Sequence, residues 1–482
     1  MVTNKYITRI ASVIMAAAVI LCLMASLFSD KLQEVYGNNA VTMKYESKLF
    51  NTDQIMDIDI LMDEDDWNNM LENAISEEYY SCNVVVNGKT FYSVGIRPKG
   101  NTSLSSIAND PDTDRYSFKL EFDHYIEGQT CYGLDKLILN NNYADATNMK
   151  EAIVYDMYQY LGVDASLYNY AKISVNGDYR GVYLALEAVE DSFMLRNYGT
   201  EDGNLYKPES MGIGGGVDGN GFPQKGEMPD GEDFPQKGEM PDGEDFPQKG
   251  EMPDGEDFPQ MGEAPNGEVA DIKMGIMGGN GGADLNYTDD DLDSYSTIWD
   301  GEITDSDKKD HKRVVEALKN ISEGTDLETY MDVDNILKYM AVHTFVVNDD
   351  SLSGTMAHNY YLYEYNGKLN ILPWDYNLSF GGMSMGGKMG GQSLGATSVI
   401  NDAIDTPFSI TDFFNALLEN EEYLEQYHGY LNELVEKYVN GGEFEKTYER
   451  IRSQIDDLVG NDPTAFYSYE EYEEAANMLI EV

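Results

Sequence analysis

The unit FPQKGEMPDGED starts at Phe222, recurs at Phe234 and Phe246, and decays at Phe258. Each copy holds two Pro, two Gly and a single aromatic residue. Such a unit is too short and too polar to bury its own faces by stacking, so it builds neither a solenoid nor a core. Together with its Gly/Met-rich edge it predicts a disordered acidic insert over residues 208–285. Whatever folds must be assembled from the sequence on either side of it.

Those flanks can fold. Hydrophobic residues make up 42% of the chain, with 36 Tyr and 17 Phe, which excludes global disorder. The chain carries 87 acidic against 32 basic residues, a formal charge of −55. Phosphate backbones are bound by clustered Lys and Arg, so nucleic acid is excluded as a partner. Basic partners, or partners bridged by divalent cations, fit better, and plain solubility of an exported protein is an equal explanation. Residues 1–30 join a basic start, Lys5 and Arg9, to the apolar run Ile10 to Phe28. This pattern reads as a signal peptide or an N-terminal membrane anchor, which puts the rest of the chain outside the cytoplasm, secreted or membrane-anchored. Cys82 and Cys131, beyond Cys22 in the leader, lack metal-site spacing and allow at most one bridge.

After the leader, Val41 to Asp59 reads as strand, and Asp63 to Ala74 as a short acidic helix. Asn87-Gly88 and Asn176-Gly177 each sit between apolar runs, the signature of β-hairpins. In TNMKEAIVYDMYQYL, Met149, Ile153, Met157 and Leu161 recur every four residues, which predicts a helix ending at Gly162. Beyond the insert, KRVVEALKNI and VDNILKYMAVHTFVV read as helices, and YYLYEY and KLNILPW as paired strands turning at Asn366-Gly367. Residues 381–396 are a mobile Gly/Met-rich loop by composition, and Ile410 to Val482 reads as acidic amphipathic helices.

Chemistry-bearing residues concentrate in NDDSLSGTMAHNYYLYEYNGKLNILPWDYNLSFGG, Asn348 to Gly382. Asp350, Asn359 and, across a hairpin, Asp375 offer the hard oxygen ligands and the orienting carboxylate that metal-assisted phosphoryl transfer needs. Turn capping by Asp and Asn explains the same spacing.

A wider pattern bears on that choice. HNYYLY at His358 to Tyr363 and Leu372 to Gly382, together with RPKGNTS from Arg97, SFKLEF from Ser117, LNNNYADATNMKEAIVYDM from Leu139, NGDYRGVYLALEAVED from Asn176 and NLYK from Asn204, resemble the spore coat protein H (CotH) family of kinase-like phosphotransferases. The resemblance implies an α+β fold, atypical protein-kinase-like and bilobal. Residues 41–207 would form an N-lobe with an antiparallel sheet and one key helix; residues 286–482 would form a mainly helical C-lobe carrying the metal site. It also implies ATP with Mg²⁺ or Mn²⁺ and transfer to Ser/Thr of secreted, spore-coat or surface proteins, rich in Ser/Thr and basic. The repeats are not acceptors, having no Ser, Thr or Tyr from Phe222 to Asp257.

By position, the resemblance implies that Lys119 touches the nucleotide phosphates and that Glu151 holds it in an ion pair. Arg97, Lys99 and Gly100 would cover the phosphates, and Glu187 would form a hinge or polar nucleotide contact, or compete with Glu151 for the lysine. Asp350, or its neighbour Asp349 in a shifted register, would be the base-like aspartate. Asn359, Asp375 and Asn377 would hold the metal, and Asn377 stands where the family commonly has a second aspartate. That substitution favours the alternative of a weakly active or inactive kinase-fold scaffold that recruits partners through its acidic repeats.

Overall fold

The computed structural model describes residues 40–209, 281–354, 357–381 and 404–481. The leader, the repeats and nearly all of the 381–396 stretch lie outside the described residues, as does Cys22. The described residues all belong to one compact unit.

Seven strands close into a barrel in the order β1-β2-β3-β4-β5-β7-β6. They are β1 (Met56–Leu61), β2 (Tyr80–Val86), β3 (Lys89–Lys99), β4 (Ser117–Glu121), β5 (Lys136–Asn140), β6 (Tyr168–Val175) and β7 (Asp178–Glu187). The Asn-Gly hairpins predicted at Asn87 and Asn176 are present, joining β2 to β3 and β6 to β7. The expected antiparallel sheet needs correcting at its seam. β1 pairs parallel with β6, Met56 opposite Ala171 through Ile60 opposite Val175, so the sheet has no open edge. The strand expected over Val41 to Asp59 is also shorter: Lys44–Lys48 is helix α1, whose Tyr45 is fully buried, and β1 begins only at Met56.

Helix α2 (Glu64–Glu72) starts where the sequence places it, with Asp63 accepting from the Asp65 amide as N-cap. The segment that opens with RPKGNTS divides in two: Arg97 to Lys99 extend β3, and Thr102–Ala108 forms helix α3, which buries Leu104 and Ile107. Helix α4 (Lys150–Leu161) is capped by Gly162 in the left-handed region at φ 72°. Helix α5 (Asp191–Tyr198) follows the barrel.

Two hydrophobic cores result. One fills the barrel with Ile58, Val84, Ile96, Leu120, Ile173 and their neighbours. The other joins α4 to helices α6 (Lys308–Ser322), α7 (Val333–Val346), α8 (Glu421–Glu433), α9 (Glu443–Gly460) and α10 (Tyr469–Glu481). It includes a three-stranded sheet in which β8 (Asn204–Tyr206) and β10 (Lys368–Pro373) flank β9 (Tyr360–Tyr365). Strands β6 and β7 serve both cores: Ala171, Ile173, Tyr183 and Ala185 face into the barrel, while Tyr168, Tyr170, Val182, Leu184 and Leu186 face the helices. Burial on both faces is why those strands read as continuous apolar runs rather than alternation. Ala283 and Leu285, which the sequence reading left in the insert, are buried in the second core. The bridge that sequence allowed between Cys82 and Cys131 is not formed; both are buried free thiols. Among the described residues no helix is long and apolar enough to cross a membrane.

Candidate active site

Helix α7 is followed by Val347, a β-branched residue held at φ 46°, and there the chain turns into the segment bearing Asn348, Asp349 and Asp350. A left-handed conformation is costly for such a residue and persists only where surrounding structure enforces it. The enforcement is visible: Phe380 and Gly381 donate backbone hydrogen bonds to the carbonyls of Val346 and Val347, and the Asn348 amide reaches the Asp375 carbonyl at 3.4 Å. Strand β10 ends at Pro373, and Asp375 follows at φ 59°. Asn359, just before β9, sits at φ 58°. Asn and Asp tolerate this region best, so both positions suit their residue types.

Asp350 is partly buried, whereas Asp349 is exposed. The Asp350 carboxylate accepts from His358 Nε2 at 2.9 Å and from Asn359 Nδ2 at 3.2 Å, and its backbone carbonyl accepts from the same Asn359 amide at 2.6 Å. These bonds fix the Asn359 side chain so that Oδ1 is the atom left to ligate a cation. Asn377 donates its amide to the carbonyl of Tyr143 at 2.9 Å, tying the Asp375 turn to the loop before α4.

From the barrel side, Lys99 at the end of β3 lies over the Trp374 ring at 5.4 Å and donates to Asn140 Oδ1 at 3.4 Å. The other end of the same asparagine donates to Glu151 Oε2 at 2.9 Å. Asn140 thus stands between the lysine and the glutamate as an amide bridge. Glu151 is 5% exposed, and its Oε1 is buried with no hydrogen-bond partner. Burial, reinforced by the Asp375 charge, pushes its pKa up to about 8. Burial likewise raises Asp375, with Asp350 adding to the effect and Lys99 opposing it. Burial lowers Lys99, and Asp375 partly restores it. Lys207, ion-paired with Glu209, adds further positive charge, which holds the Glu209 carboxyl below its usual range. The small cavity lined by Arg115, Asn141, Asp462 and Phe466 contains none of these residues.

Lys99, Glu151, Asp350, Asn359 and Asp375 therefore gather at one place, with Asn377 beside them. Three expected participants are elsewhere. Lys119 does not pair with Glu151; its Nζ contacts Glu190 Oε1 at 2.5 Å, and Glu190 also binds Lys136. The reason is register: Lys119 lies opposite Arg97, two residues back along β3 from Lys99, a shift of about 7 Å. Glu187 is fully buried and satisfied by Arg196, by the Tyr45 hydroxyl at 2.5 Å and by the Leu167 amide at 3.1 Å, so it anchors α1 and α5 to the barrel. Arg97 is ion-paired with Glu77 and stacked on Tyr79. Gly100, at φ 132°, leads into α3 in a conformation that only glycine adopts easily.

Sequence reasoning missed Asn140, Lys207 and His358 as members of this group. Lys207 and His358 lie inside the stretches NLYK and HNYYLY, whose match pointed at them without assigning them a role. Asn140 is one of three successive asparagines and carries no distinguishing signal.

The CotH kinase protein family matches residues 96–482. The chain belongs to that family. The match takes in every residue gathered at the site, from Lys99 to Asn377, and the folded chain on both sides of the repeats. The family suggests a kinase role for the CotH domain, and a mixed α+β fold agrees with it. No curated protein matches the chain. Among the described residues, no group of three or more His, Cys, Asp or Glu side chains is arranged to hold a metal, so any divalent cation here would rest on a mixed set of carboxylate and amide oxygens.

Proposed function

We propose that this protein is an atypical, kinase-like phosphotransferase that moves phosphate from ATP, with Mg²⁺ or Mn²⁺, to Ser or Thr of secreted, spore-coat or surface proteins. The observation that carries this reading is the meeting of Lys99 and Glu151, from the barrel side, with Asp350, Asn359 and Asp375 from the helical side. The barrel with α4 would be the N-lobe and the helical core the C-lobe of a bilobal kinase-like fold.

The donor set fits a hard divalent cation. Asp375, Asp350 and Asn359 offer oxygen atoms only, and the orphaned Glu151 Oε1 lacks the positive partner that a loaded site would bring near it. Asp375 and Asn359 would hold the metal, with Asn377 behind them as a positioning group through Tyr143. Such a cation neutralises charge on the transferring phosphoryl group. Lys99, rather than Lys119, would contact the phosphates, with Glu151 and Asn140 fixing its amine. Asp350 would accept the proton of the acceptor hydroxyl, and His358 and Asn359 hold its carboxylate in one orientation. A basic acceptor suits a chain of formal charge −55.

The test is transfer of labelled phosphate from ATP with Mn²⁺ to a basic Ser-rich polypeptide. Asp375→Ala is expected to lower transfer at least a hundredfold. Absence of transfer with every nucleotide donor would refute the enzyme reading. One observation favours a second one: Asn377 uses its amide to bond Tyr143, a bond that an ionised aspartate could not donate. A scaffold that keeps the turn but lacks one ligand charge would do the same. In that case deletion of Phe222 to Asp257 would destroy assembly at the cell or spore surface, and Asp375→Ala would not.

A further inference from the structure

His343 lies on α7, one turn before the segment that carries Asp350, and is 2% exposed. Its two ring nitrogens reach different parts of the site. Nδ1 is 3.0 Å from the hydroxyl of Tyr376, the residue next to Asp375, and that hydroxyl is 2.5 Å from the hydroxyl of Tyr158 on α4, the helix of Glu151. Nε2 is 2.7 Å from Ser353 Oγ and 3.1 Å from Ser351 Oγ, both in the Asp350 segment. Ser351 and Ser353 each also donate to the carbonyl of Asn348, at 3.2 and 3.0 Å. One imidazole thus closes an unbroken hydrogen-bonded chain from α4, through the Asp375 turn, to the Asp350 segment.

We propose that His343 is a positioning residue of this site, holding the Asp350 segment and the Asp375 turn in a fixed mutual arrangement through Ser353 and Tyr376. For phosphoryl transfer, this rests on the reading given above. A neutral imidazole donates from one ring nitrogen and accepts at the other, so it bonds both ways along such a chain without carrying charge. Burial pushes the His343 pKa down to about 3, so the ring is neutral at every pH where the protein would act. The groups against it are Tyr339, Tyr376, Phe408, Ser351, Ser353 and the Asn348 carbonyl; that carbonyl favours the imidazolium, but none of them is a carboxylate and burial outweighs it. Neutral, directional contacts of this kind fix geometry, and catalysis by positioning is sensitive to displacements of about 1 Å.

The test compares His343→Leu, His343→Gln and Tyr376→Phe in the full chain. Hydrogen exchange is read at 348–354 and 374–381, and phosphate transfer with ATP and Mn²⁺ is measured alongside. His343→Leu is expected to speed exchange at least tenfold in both segments, with Lys338 and its neighbours on α7 unchanged. It should also lower kcat tenfold to a hundredfold while KM for ATP moves less than threefold. His343→Gln, which keeps the bond toward Ser353, should recover part of the loss. Exchange in His343→Leu that rises in neither segment, or in only one, overturns the proposal, as does a wild-type kcat. Should His343→Leu not fold, the same criteria apply to Tyr376→Phe. If the wild-type protein transfers no phosphate at all, the functional reading fails, and the exchange measurement alone decides whether His343 couples the two segments.

Discussion

Replacing Arg115 with Met should cost about 3–5 kcal/mol of stability, because it strands a buried carboxylate. Arg115 lies just before β4 and is 2% exposed, as is the side chain of Asp462 beyond α9. The guanidinium bonds Asp462 Oδ2 at 2.7 Å, Thr464 Oγ1 at 2.8 Å, the Val182 carbonyl at 2.5 Å and the Asn141 carbonyl at 3.0 Å, and it stacks over Tyr183. Methionine keeps most of the aliphatic volume, so the loss is chiefly electrostatic. Asp462 retains the amides of Val182 and Thr464, at 3.1 and 2.9 Å, and the Thr464 hydroxyl at 3.2 Å. Those bonds to a charged group recover about 1.5–3 kcal/mol each in favourable cases, but they already exist in the wild type and cannot offset the lost countercharge. The assay is urea unfolding followed by tryptophan fluorescence, with Asp462→Leu and the double variant completing a cycle. The double variant is expected to be more stable than Arg115→Met alone, since replacing both charges by apolar groups removes the stranded one. Because the pair is buried, 0.5 M NaCl should leave the difference unchanged. A cost below about 1 kcal/mol for Arg115→Met, or strict additivity in the cycle, would refute the reasoning.

Two further outcomes bear on the site. Lys99→Met should weaken ATP binding at least tenfold by thermal shift, while Lys119→Met leaves it within twofold and only loosens the Glu190 contact; the reverse result would restore the register implied by the family resemblance. Glu151, raised to about 8, opposes folding as pH climbs from its unfolded value near 4.5, by about 1.4 kcal/mol per pH unit. Glu151→Gln should therefore be more stable than wild type at pH 8 and equal to it at pH 4. His343, depressed to about 3, has the opposite slope: its contribution is complete above about pH 6.5 and is lost as pH falls. His343→Gln should flatten that acid limb in urea titrations at pH 7 and pH 5.

Local signals read well from the sequence because local physics produces them. The three Asn-Gly turns, the start of the acidic helix at Asp63 and the Gly162 stop each depend on a few consecutive residues, and all stand where the sequence put them. Barrel closure was invisible for the complementary reason. β1 meets β6 more than a hundred residues away, and no composition near Met56 records that partner. Glu187 illustrates the same limit in the site. Its sequence context suits a nucleotide contact as well as a buried anchor, and only the positions of Arg196 and Tyr45 decide between them.

The lysine that the resemblance implies and the lysine that the structure links to Glu151 differ by a step of two residues, which a strand makes easy. Arg97 and Lys99 are two apart on β3, and Lys119 lies across from Arg97, so residue type and side-chain direction cannot separate Lys99 from Lys119. What separates them is the far end of the contact. At the end of β3 the neighbouring row supplies Asn140 and, through it, Glu151; one step inward it supplies Glu190. Glu151 is buried and Glu190 partly so beside the barrel, yet of the two only Glu151 keeps an oxygen without a partner, while Glu190 is saturated by two lysines and its pKa falls. A structural ion pair lowers the pKa of its acid because the favourable charge is already present. A buried acid without such a charge stays raised, so the opposite shifts of Glu151 and Glu190 report a difference in surroundings that sequence spacing could not show, and on the proposed phosphotransferase reading they favour Glu151 as the partner of the site lysine.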